Sequence, residues 1–218
     1  ILMCIALARP QIISENKIIK KEGIDIVVAL DLSQSMLQRD FKPNRLETAK
    51  KLLEEFIDKR VNDRISLVVF GGDAYTKVPL TFDHNVVKDI TSKLTTDDIT
   101  SNNRTAIGMG LGVSLNRLKD SEAKSKVIIL MTDGENNSGE MSPMGASEIA
   151  KELGIKIYTI GIGAREIQIR VPFGHTTVKN TELDENLLKN IASTTGGEYF
   201  RAGSEKEFQE IFNRIDSL

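Results

Sequence analysis

Cysteine is almost missing from this chain: Cys4 is the single one in 218 residues, so no disulfide can close within it. A core of this length needs no staples, and the lack fits a reducing compartment as well as the periplasm. Only two histidines occur, His84 and His175, and both stand apart from the oxygen-rich motifs described below. Soft transition-metal binding therefore has no support. An excess of one charge is absent too. Lys and Arg number 29 against 31 Asp and Glu, and the basic residues are scattered rather than gathered in a stripe. Nothing here favours nucleic acid or an anionic membrane surface. No apolar run reaches the about 20 residues that a membrane-spanning helix takes. The first eight residues, ILMCIALA, are fully apolar and stop abruptly at Arg9-Pro10. They read as the end of a transmembrane helix, with residues 1–22 comprising that end and a juxtamembrane lead-in. A buried first strand or helix of the domain is the alternative.

What is present is an ordinary globular composition, 40% hydrophobic and 28% charged. The length suits one large α/β domain, placed at 23–218. Residues 24–30 form a nearly continuous apolar run, the pattern of a parallel strand covered on both faces. After Pro43-Asn44, residues Leu46, Ala49, Leu53, Phe56 and Ile57 fall on one helical face. RISLVVF at 64–70 is the next strand, and 76–79 a short edge strand, since Pro79 is poorly tolerated centrally. Val86, Val87, Ile90 and Leu94 predict a second helix. Ile107, Leu111, Leu115 and Leu118 predict a third, and strand 127–131 follows. A helix over 143–153 with Ala146, Ile149, Ala150 and Leu153 inward leads to strand 155–160. Residues 161–181 are too long for an ordinary connection and read as an inserted loop or hairpin. A helix over 184–192, a strand over 198–201 and a capped terminal helix beginning at Ser204 complete the chain. Alternation of strand and helix throughout predicts a Rossmann-like, doubly wound, mostly parallel sheet with helices on both faces.

The chemistry gathers at strand ends. Asp31-Leu32-Ser33-Gln34-Ser35 closes the first strand, Thr105 opens the third helix, and Asp133 follows the strand VIILMT. In open α/β sheets ligands sit beyond the carboxyl ends of strands, where strand order reverses. Asp31, Ser33, Ser35, Thr105 and Asp133 make an oxygen-only set suited to a hard divalent cation: Mg2+ first, with Mn2+ and Ca2+ sharing the preference. Ser33 and Ser35 are expected to bind the ion directly, and Thr105 to reach it or one of its waters. Asp31 and Asp133 are placed in contact or one water away. A site built from hydroxyls and two carboxylates leaves the ion able to accept one more anion, most naturally a carboxylate of another protein. Taken singly, Ser33 and Ser35 read equally well as a helix N-cap pair, Thr105 as an N-cap, and Asp133 as a turn residue before Gly134. Gln34, Met36, Asp73, Asn136 and Asn137 are candidates for a partner-binding rim. Gly108, Gly110 and Gly112 read as close packing of the third helix on the sheet, since no Lys-Ser/Thr follows to make a phosphate loop.

These motifs resemble the von Willebrand factor type A domain family from about residue 25 to 218. Asp31, Ser33, Ser35, Thr105 and Asp133 look like that family's metal-ion-dependent adhesion site. The resemblance implies a mostly parallel sheet with one short antiparallel edge strand. ALARPQ at 6–11, GIDIVVALDLSQSM at 23–36, DFKPNRLETAK at 40–51 and TGGEYFRA at 195–202 are further similar to the BatA/BatB-type aerotolerance membrane proteins of bacteria. That similarity implies a membrane-anchored envelope protein with the domain on the periplasmic side of the inner membrane. It also implies partners among other Bat proteins or a MoxR-type AAA+ ATPase system. Two other functions stay open. One is a Mg-dependent phosphohydrolase, although Ser33 stands where a second aspartate is wanted and no lysine helper is fixed. The other is a structural scaffold whose metal only stabilises loops.

Overall fold

The computed structural model describes residues 23–100, 103–164, 166–171, 174–179, 183–204, 206–207 and 210–211. The apolar run at 1–8 and the lead-in up to residue 22 lie outside the described residues.

Six strands form the main sheet, in the order β3-β2-β1-β4-β5-β8. They are β1 (Asp25–Asp31), β2 (Arg64–Phe70), β3 (Ala74–Thr81), β4 (Lys126–Thr132), β5 (Lys156–Ile162) and β8 (Tyr199–Ala202). Every pairing is parallel except β2 with β3. β3 is longer than the four residues expected. Pro79 is tolerated because it lies exposed on this edge strand, where the register slips between Ile65 opposite Thr81 and Leu67 opposite Val78. A separate antiparallel pair, β6 (Glu166–Val171) and β7 (Gly174–Lys179), follows β5.

Alternation along β1 builds two cores. Ile26, Val28 and Leu30 face helices α1 (Arg45–Asp58) and α2 (His84–Ser92). Val27 and Ala29 face α3 (Ile107–Leu118), α4 (Pro143–Glu152) and α5 (Glu185–Thr195). All five α1 residues assigned inward from the sequence are buried, and so are the four of α3. One inward assignment fails: Ile149 is 42% exposed. Val86, part of the spacing that predicted the second helix, is 43% exposed. In α4 the buried stripe is Pro143, Ala146, Ser147 and Ala150, mostly small side chains that suit close packing and leave Ile149 beside the contact. In α2 the buried line is Val87 and Thr91, one residue around from Val86.

The chain runs outward from β1 in one direction through β2 and β3, then crosses to β4 and continues through β5 and β8. The reversal therefore falls between β1 and β4, which are hydrogen-bonded neighbours despite about a hundred intervening residues. Their carboxyl ends carry Asp31 and, one residue past β4, Asp133.

The glycines of α3 serve this packing. A Cβ at Gly108 would lie 1.9 Å from the Met141 carbonyl oxygen, and one at Gly110 would lie 2.8 Å from the Phe70 ring. Both positions admit the loop before α4 and the β2 side chain to near backbone contact.

Candidate metal centre

Each functional side chain reaches the β1/β4 gap by a local device. Asp31 ends β1 with its side chain wholly buried. Its Oδ1 accepts the Ser33 N–H at 2.8 Å and its Oδ2 the Thr132 hydroxyl at 2.6 Å. The first bond turns the chain out of the strand into a short 3-10 turn at Gln34–Leu37. Ser33 stands at the cap position of that turn, yet its hydroxyl makes no capping bond there. Instead Ser33 Oγ lies 2.9 Å from Ser35 Oγ, and Ser35 Oγ donates to Asp133 Oδ1 at 2.7 Å. The simple N-cap account of these serines thus does not describe them.

Thr105 is displaced from its expected place. α3 begins at Ile107 with Ala106 as its cap, so Thr105 precedes the helix rather than opening it. Its backbone is pinned by the loop after Asp133. The Thr105 N–H donates to Asn137 Oδ1 at 2.9 Å, and the Thr105 carbonyl accepts from the Asn137 and Ser138 N–H groups. Ser33, Ser35, Thr105 and Asp133 all line one open cleft of about 490 Å³.

The rim residues divide. Gln34 and Asn137 are exposed and line the cleft. Met36 does not belong to the rim: it is 0% exposed and packs in the core beneath α1, since the third residue of the tight turn points back into the protein. Asp73 is exposed but does not line the cleft, and Asn136 is half-buried with its Oδ1 enclosed and no hydrogen-bond partner. Sequence reading did not single out Gln38, Asn103 or Glu135, which also line the cleft.

The larger omission is Arg45. Its side chain is 0% exposed, although the residue opens α1. Nη1 donates to Asp133 Oδ2 at 2.8 Å, while Nε and Nη2 grip Asp40 at 2.9 and 2.8 Å. Asp40 Oδ2 also accepts the Ala164 N–H at 2.9 Å. A signal existed in the sequence. Arg45 directly follows the N-cap Asn44, where the helix dipole disfavours a cation and acids are the usual choice. A guanidinium there marks a specific partner.

The electrostatics follow from burial. Enclosure, and then the neighbouring Asp133 charge, push the Asp31 carboxyl up to about 7. Burial raises Asp133 too, against the opposing pull of Arg45. Burial would also raise Asp40, but hydrogen bonds from Arg45 and the Ala164 N–H outweigh it and hold that carboxyl below the ordinary range. Among the described residues Asp31 has no ion-pair partner, whereas Asp133 and Asp40 share one guanidinium. A buried, uncompensated carboxylate beside a cleft of hydroxyls is costly unless a cation joins it. The donor set fits a divalent ion: hard oxygens, two nearby acids and room for water. Among the described residues no trio of His, Cys, Asp or Glu gathers anywhere, this cleft included, so the site depends on its hydroxyls beside Asp31 and Asp133.

Comparison with known proteins agrees with this architecture. The family model for the von Willebrand factor type A domain matches residues 25–214. An uncharacterized protein of Borreliella burgdorferi is 35% identical over 99% of this chain and 65% of its own length. The chain thus spans just under two thirds of that curated relative. Among solved structures, the conserved hypothetical protein BatB from Bacteroides thetaiotaomicron superposes with a TM-score of 0.75 at 31% identity, covering 89% of this chain and 98% of that one. An aerotolerance-related membrane protein from Bacteroides fragilis also reaches 0.75, at 29% identity, over 90% of this chain and all of its own.

Proposed function

Because this chain belongs to the von Willebrand factor type A domain family, we propose that it is a non-catalytic, divalent-metal-dependent protein-binding domain that bridges to a carboxylate of its partner. One observation carries the reading: Asp31, which does not itself line the hydroxyl-lined cleft, lies fully buried behind its Ser33 wall with no cationic partner among the described residues. Ser33 and Ser35 would hold the ion directly. Thr105, Asp31 and Asp133 would complete its surroundings, in contact or through water. When bound, Mg2+, or Mn2+ or Ca2+ in its place, supplies Lewis acidity for one external anion. The chain's own residues orient that site. Thr132 and the Ser33 N–H fix the two oxygens of Asp31, and Ser35 and Arg45 fix those of Asp133.

Likeness to BatB and to the aerotolerance-related membrane protein supports a membrane-anchored envelope protein whose domain lies on the periplasmic side. Among the described residues no helix is long and apolar enough to cross a membrane. Candidate partners are other Bat proteins or a MoxR-type AAA+ system, recognised through an exposed Asp or Glu. The phosphohydrolase reading is weaker, since Ser33 occupies the place of the second acid and its hydroxyl engages Ser35.

The test pairs two measurements. Titration calorimetry of the metal-stripped chain with MgCl2 and MnCl2 is expected to show one site, lost in Ser33→Ala while the fold persists. Binding of a purified Bat protein is then compared in Mg2+ and in EDTA. Affinity unchanged by EDTA overturns the bridging role and leaves the metal a structural one.

A further inference from the structure

Arg45 is the unexpected charge in this site. Two carboxylates, Asp40 and Asp133, hold one guanidinium between them, and the third, Asp31, adjoins the cluster through the charge of Asp133. The side chains of Arg45 and Asp133 are 0% exposed and that of Asp40 8%, and Asp31 is wholly buried. Water can therefore do little to soften their charges, and the sum of the cluster decides how it meets ions. With Arg45 the cluster carries two negative charges, which one divalent cation cancels. A partner carboxylate then approaches a neutral site. Without Arg45 the cluster would carry three, bind the cation more tightly and repel the incoming carboxylate.

From this arrangement we propose that Arg45 is a positioning and specificity-determining residue, an internal cation that keeps the metal site from being satisfied by its own carboxylates and so makes it depend on an external one. The inference rests on the metal-bridged reading above. The geometry supports it in three further ways. Arg45 occupies Asp133 Oδ2 and leaves Oδ1 to the Ser35 hydroxyl, so Asp133 meets the site through one oxygen only. Asp40 holds the guanidinium through two nitrogens, which fixes its direction. Asp40 is in turn anchored by the Ala164 N–H, just past β5, and the Ala164 carbonyl accepts from Arg201 at 3.3 Å. The direction of the guanidinium is thus set from the segment that follows β5 as well as from the turn before its own helix.

Charge variants that keep the volume separate this role from plain packing. Asp40→Asn leaves the cluster with one negative charge. Asp40→Asn with Arg45→Met restores two. Arg45→Lys keeps two while losing the planar fork. One unit charge at this range is worth about tenfold in affinity at an effective protein dielectric. Mn2+ affinity is read by calorimetry on the metal-stripped chain. Acetate, as the carboxylate probe, is read by its effect on water-proton relaxation of the Mn2+-loaded chain. Asp40→Asn is expected to weaken Mn2+ about tenfold and tighten acetate. The double variant returns both to within about threefold of the unsubstituted chain, and Arg45→Lys stays near it.

A merely structural Arg45 predicts the opposite order, with the double variant worse than Asp40→Asn in both readouts. That result overturns the proposal, as does Mn2+ affinity lost in a folded Arg45→Lys. Should the double variant not fold, Asp40→Asn and Arg45→Lys decide by themselves: equal loss of Mn2+ in both overturns the charge argument. Failure of the unsubstituted chain to bind Mn2+ at all instead overturns the metal reading on which it rests.

Discussion

Replacing Asp31 by Asn should make the metal-free domain more stable while abolishing its metal binding. The Asp31 carboxyl is pushed from an ordinary 3.8 up to about 7, first by burial and then by the Asp133 charge. Since the folded value lies above the unfolded one, protonation favours the fold. That contribution is complete below about pH 4, falls away as the pH climbs through 7, and is gone at pH 8. A shift of this size corresponds to about 4 kcal/mol. Asp133 is raised in the same sense and adds to the trend. Asp40, Asp98 and Glu185 are held low, so their stabilisation is lost only below about pH 4, outside the window. Asn fits the site: its oxygen keeps the Ser33 N–H, and its amide can donate to Thr132 Oγ1, which then accepts where it donated before. Thermal unfolding of metal-stripped protein between pH 5 and 8 reads the effect. At pH 8 the variant should melt about 10 °C higher, using the usual conversion for a domain of this size. Adding Mg2+ should raise the melting point of the unsubstituted chain alone. The reasoning is refuted if metal-free stability holds or rises from pH 5 to 7.5, or if the variant melts lower at pH 8.

Ser35→Ala removes the hydroxyl between Ser33 and Asp133. It should reduce Mg2+ affinity by about tenfold or more, with only about 1–2 kcal/mol of stability lost to the unpaired Asp133 oxygen. Calorimetry and urea unfolding check the two parts. Gly108→Ala should destabilise the domain by about 1–3 kcal/mol despite the better helix propensity of Ala, because its methyl would meet the Met141 carbonyl at 1.9 Å. Gly145→Ala is the control on the next helix, where the nearest heavy atom is 3.8 Å away; it should be neutral or gain up to about 1 kcal/mol. Equal melting points for the two alanine variants would count against the close-packing account.

The strands and most helices were legible because burial imposes periodicity. DIVVALD and RISLVVF are buried along nearly their whole length, and the apolar faces of α1 and α3 fall where the 3.6-residue spacing puts them. Misreadings came where packing is decided by shape instead of hydrophobicity. Ile149 lost the contact to Ala146 and Ala150 because a close approach favours small side chains. The inward direction of Met36 was not legible because a 3-10 turn has no long apolar run to advertise it. At the metal centre, residues near one another in sequence were recognisable, as the spacing from Asp31 to Ser35 shows. Arg45 was not, because its meaning depends on Asp133, 88 residues away, and on Asp40 held by Ala164 across 124. No local pattern in one sequence carries such a pairing. Only the misfit of a cation at the start of a helix hinted at it.

β1 itself states the logic of the site, for it carries a buried aspartate at each end. Asp25, 2% exposed, is gripped by Arg64 through both carboxylate oxygens and accepts the Ser121 hydroxyl. Its charge is answered within the chain, at the end of the sheet away from the cleft. Asp31, six residues on and 0% exposed, receives the Ser33 N–H and the Ser33 and Thr132 hydroxyls, but no cation among the described residues. The Arg45 guanidinium is committed to Asp133 and Asp40. Burying a charge without a counter-charge lowers stability, and a fold under selection for stability alone would place an arginine here as it does at Asp25. Leaving Asp31 unanswered at an open, hydroxyl-lined cleft makes sense if the counter-charge comes from solution, and if the ion that brings it keeps a position for a partner.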